Sequence, residues 1–113
     1  MSKFQRTVKG NFNTIANQLH QDITASGVSI TLKDEHQYTI NGVQIFLRVY
    51  DKYYARSSSR TSLTLQIVGQ GETVGVCAIT AGGGNGAFFS FSLGAEENFL
   101  SVVSDSMRNM GYY

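Results

Sequence analysis

The residues best placed to do chemistry lie on one β-type run, Val43 to Tyr50, where Phe46, Arg48 and Tyr50 alternate with the aliphatics Val43, Ile45, Leu47 and Val49. An arginine between two aromatics on one strand face can anchor an anion or sit at an interface between chains. The aliphatic row is expected to face the core. Phe46, Arg48 and Tyr50 are then expected on the opposite side of the sheet, joined by Val68, Cys77 and Ile79 from neighbouring strands. A second stretch, Gly82-Gly83-Gly84-Asn85-Gly86, has almost no side chains and could serve as a lid, an anion nest or a plain connection. With Ala87 it matches the Gly-x-Gly-x-x-Ala form of a dinucleotide fingerprint, but that motif needs a helix to follow. Here Phe88-Phe89-Ser90-Phe91-Ser92 follows, with strand period, so the plain connection is preferred.

Other reactive types fall into bland settings. Cys77 is alone and lies in an apolar run, which reads as a buried, inert thiol. His20 and His36 have no second ligand at metal spacing, so no metal site and no cofactor are expected. Asp34-Glu35 and Glu96-Glu97 are adjacent carboxylates. The first pair points apart in a turn and the second serves a helix start, so neither pair does acid–base work and no residue is assigned a catalytic role. Ser57 to Ser59 between Arg56 and Arg60 read as a solvated loop. Tyr50, Tyr53 and Tyr54 interleave with Arg48, Lys52 and Arg56 as on a single-stranded nucleic-acid platform, but a formal net charge of +1 disfavours nucleic acid.

The elements that must position these residues follow from periodicity. Lys3 to Val8 alternates as a strand. After Gly10, Phe12, Ile15, Ala16, Leu19 and Ile23 recur at helical spacing behind an Asn11 cap, ending at Ser26-Gly27. Period two returns over Val28 to Leu32, is interrupted at Asp34-Glu35-His36, and resumes toward the Asn41-Gly42 hairpin signal. Strands over Val43 to Tyr50, Thr61 to Val68, Glu72 to Thr80 and Ala87 to Phe91 follow, with Asp51 to Thr61 read as the end of a strand running into an exposed loop. A second helix is expected from Ala95, with Glu96 and Glu97 in its first turn and a stripe of Phe99, Leu100, Val103, Met107 and Met110. The result is a single α+β domain over residues 1–113, order β-α-β-β-β-β-β-α. A mostly antiparallel curved sheet carries both helices on one face, an order of elements that resembles the TATA-binding-protein-like and helix-grip folds.

The charged fraction of 15% is low against a typical ~25%, which leaves little repulsion between copies. No run is apolar enough for a membrane span or signal peptide, and a cytoplasmic location is expected. Tyr38-Thr39-Ile40-Asn41-Gly42-Val43 through Arg48-Val49-Tyr50, with Ala78-Ile79-Thr80-Ala81-Gly82-Gly83 through Phe88-Phe89, resembles a family of small proteins of unknown function from Firmicutes-type Gram-positive bacteria. Ala81 departs from the serine of that pattern. The resemblance implies a bacterial cytoplasmic domain and carries over no functional residue. The preferred reading is a non-enzymatic binding or interaction module, a homodimer through the outer sheet face. The alternative is a small-molecule-binding protein or weak enzyme with a pocket between the sheet and the C-terminal helix. A single-stranded nucleic-acid binder ranks last, and no membrane partner is expected.

Overall fold

The computed structural model describes residues 2–55, 58–83 and 89–113, without the side chains of 83 and 89–95. Its elements run β1 (Ser2–Lys9), α1 (Phe12–Ala25), β2 (Ile30–Ile40), β3 (Val43–Tyr54), β4 (Ser59–Gln70), β5 (Thr73–Gly83) and α2 (Phe89–Asn109). Every strand pairing is antiparallel, in the order β1-β5-β4-β3-β2. Three consecutive hairpins build β2 to β5, and β1 closes the far side against β5. That makes β4 the middle strand.

Local chemistry explains the punctuation. The Asn11 side chain accepts the Thr14 N–H at 2.9 Å and caps α1. Asn41 and Gly42 take φ values of +49° and +79°, the pair of positive angles that a tight two-residue hairpin turn demands. Between Leu32 and Asp34 the β2–β3 register shifts, so β2 runs on through the charged Asp34-Glu35-His36 where the sequence pattern predicts an interruption.

Both helices lie on one face of the sheet. The expected α1 stripe of Phe12, Ile15, Ala16, Leu19 and Ile23 is buried throughout, in one core with Leu63, Leu65 and Ile67 of β4 and Val74, Val76 and Ala78 of β5. From α2, Phe99, Val103 and Met107 complete the core, with Leu100 and Met110 partly buried at its margin. Ser106 donates to Asp22 at 2.5 Å and joins the two helices. The Gly82 N–H donates to Glu96 Oε1 at 2.6 Å and Thr80 Oγ1 to the Glu96 carbonyl at 3.2 Å, tying α2 to the end of β5.

Several expectations need correction. The strand predicted over Ala87 to Phe91 is absent: Phe89 to Phe91 already belong to α2, and 87 and 88 lie outside the described residues. The order is therefore β-α-β-β-β-β-α, one strand fewer than predicted. Glu96, expected in the first turn of the second helix, sits deeper in α2 and is buried. Asp51 to Tyr54 form the strand end expected there and carry β3 to Tyr54. Gly82 and Gly83, expected in a loop or lid, are β5 residues paired with Thr61 and Arg60, while Gly84, Asn85 and Gly86 lie outside the described residues.

The last correction concerns facing. Phe46, Arg48 and Tyr50 pair with Ile67, Leu65 and Leu63 and share their side of the sheet, beneath the helices. Tyr50 has no exposed surface and Arg48 only 6%. The aliphatic row Val43, Ile45, Leu47 and Val49 is therefore on the outer face. Register with a fully buried neighbour settles the phase of β3, because a strand cannot turn one residue without turning all of them.

Candidate functional site

The expected six-residue outer patch divides between two faces. Phe46, Arg48 and Tyr50 form a cluster under α1. Val68 and Ile79 lie on the outer face with Cys77.

The inner cluster is a closed hydrogen-bonded network. Arg48 Nη1 donates to the Ala16 carbonyl at 2.8 Å and Nε to Glu35 Oε2 at 3.2 Å, and the guanidinium stacks 3.9 Å from the Phe46 ring centroid. Arg48 also hydrogen-bonds the Tyr50 phenol oxygen, and His20 Nδ1 lies 2.8 Å from that oxygen. Arginine only donates, so the phenol proton is free to point at Nδ1. Burial pushes the Tyr50 pKa up to about 12, and the charge and hydrogen bond of Arg48 offset part of the rise. These contacts engage the Arg48 guanidinium with three protein acceptors, and they join α1 to β3 and β2. His20 enters this network although the sequence marks it only as a residue beside the apolar stripe; its partner lies thirty positions away.

The tyrosine-and-base platform does not assemble among the described residues, outside which Arg56 lies. Along β3, Tyr50 and Tyr54 point to the helix side and Tyr53 to the outer side, where Arg60 lies over its ring. The space between sheet and α2, the expected ligand pocket, is filled among the described residues by Phe99, Val103 and Met107, all without exposed surface. An open depression of about 470 Å³ lies elsewhere, at the start of α1 between Lys9, Phe12, Gln44 and Glu72. Among the described residues no three His, Cys, Asp or Glu side chains group as a metal site, and no helix is long and apolar enough to cross a membrane.

The outer face is the other feature that asks for an explanation. Its side chains run across the sheet in register: Tyr38, Ile45, Val68, Gly75 and Thr7; then His36, Leu47, Gln66, Cys77 and Gln5; then Asp34, Val49, Thr64, Ile79 and Lys3. With Ile40 and Val43 beyond the first row, the apolar members form one patch over β2, β3 and β5. Ile40 is 54% exposed, Tyr38 41% and Ile79 39%, and no element among the described residues covers them. Contiguous apolar surface of this kind marks interaction sites on soluble proteins, whereas scattered apolar residues do not. The margins carry opposite charges, Lys3 and Lys9 on β1 and Asp34 on β2.

A five-stranded antiparallel sheet with both helices on one side and an apolar opposite side defines a small α+β protein of the two-layer class. The chain belongs to DUF6054, a family of unknown function whose pattern matches residues 1–111. Comparison with curated proteins finds no match.

Proposed function

We propose that this chain is a non-enzymatic interaction module that associates with itself through the outer face of its sheet. The observation that carries the reading is the in-register apolar patch in which Tyr38, Ile40, Leu47 and Ile79 are exposed and Ile45, Val49 and Val68 half-buried. The inner Arg48 cluster supports it indirectly, since those side chains are engaged in joining helix to sheet and offer little to a substrate. We also place the chain in the cytoplasm of a Firmicutes-type bacterium, on the strength of its sequence resemblance and its single thiol.

Size-exclusion chromatography with light scattering provides the test. The expected result is a species of twice the 12.4 kDa chain mass, dissociating on dilution. A 12.4 kDa species at every concentration would overturn the reading.

A further inference from the structure

We infer that two copies meet face to face about a two-fold axis running along β4, with Ile45 of each copy seated over Gly75 of the other. The inference rests on the self-association reading and names the geometry of that interface.

Gly75 is the observation that points to an occupant. It lies inside β5 on the outer face, its φ is not positive, and a Cβ added there would meet only Thr7 Oγ1 at 3.9 Å. Nothing in its own chain requires a glycine, and glycine weakens a strand interior unless something approaches closely. β4 is the middle of five strands, so a two-fold along it brings β3 over the partner's β5 and β2 over the partner's β1. Row by row, Ile45 then faces the partner's Gly75, Leu47 the partner's Cys77 and Val49 the partner's Ile79. Val68, Gln66 and Thr64 on the axis face their own copies, and two glutamine amides can satisfy each other. Asp34 falls opposite the partner's Lys3, so the oppositely charged margins meet. Aligned sheets cross at about 30°, which moves the β3 and β5 rows by only ~2–3 Å at a strand spacing of ~4.8 Å. Five strands of eight to twelve residues offer roughly 600–950 Å² per copy, against about 800 Å² for a standard interface.

The test compares wild type, Gly75→Val, Asp34→Lys and Asp34→Lys with Lys3→Glu by sedimentation and far-ultraviolet circular dichroism. Gly75→Val should keep its fold and raise the dimer dissociation constant at least tenfold. Asp34→Lys should weaken the dimer and the added Lys3→Glu should restore it. A wild-type monomer would overturn both this inference and the proposed function. A wild-type dimer that Gly75→Val leaves as tight would overturn the geometry alone. If Gly75→Val fails to fold, the charge swap decides in the same way, with an unweakened Asp34→Lys dimer overturning the geometry.

Discussion

Tyr50 shows how far a single side chain is set by its neighbours. Its phenol is sealed under α1 between Arg48 and His20, and burial holds the proton to about pH 12. In the unfolded chain the same group ionises near pH 10. The folded state therefore binds the extra proton between these values. Stability from this group is whole below pH 10 and is lost as pH rises through 12, by roughly 2–3 kcal/mol. Of the six tyrosines, Tyr50 should titrate last in a phenolate absorbance titration, and Tyr50→Phe should abolish that late component. Little of this cluster was legible in the sequence. An alternating strand shows which residues share a face, and it did place Phe46, Arg48 and Tyr50 together. It could not show which face is buried, because the four aliphatics opposite them are the better core residues by hydrophobicity alone. The larger aromatic and guanidinium groups lie toward α1, where Arg48 reaches the Ala16 carbonyl and Tyr50 reaches His20.

At the scale of elements, periodicity succeeded where one partner layer decides the pattern. All five residues predicted for the α1 stripe are buried, and the α2 stripe from Phe99 to Met107 is correct. It failed at Phe89 to Phe91, where alternating Phe and Ser imitate strand period yet the chain is helical. It also read Asp34-Glu35-His36 as an interruption, where β2 runs on past a register shift between Leu32 and Asp34. One close approach between elements is testable. Phe12 packs directly over Gly69 of β4, and a Cβ at position 69 would fall 2.6 Å from the Phe12 ring. Gly69→Ala should lower the urea midpoint, by about 1–3 kcal/mol of stability. Phe12→Leu in the same chain should recover part of the loss, because the smaller side chain makes room.

For the molecule as a whole, the sheet has one covered face, one open face and two edges, β1 and β2. Edge-to-edge pairing along β2 is opposed by its register shift and by the run Lys33-Asp34-Glu35-His36. The open apolar face has no such defence, which is why association is assigned there. The existence of an exposed patch was legible in the sequence, but half of its membership was not: Val68 and Ile79 were placed correctly, while Ile45, Leu47 and Val49 replace Phe46, Arg48 and Tyr50. Cys77, the chain's single thiol, lies half-buried in the middle of that face. A second copy seated on the sheet would cover it. The rate at which a soluble thiol reagent modifies folded protein should therefore fall as protein concentration rises through the dimer dissociation constant. One unchanging rate at all concentrations would mean that nothing covers the face, and the assignment of self-association to it would be wrong.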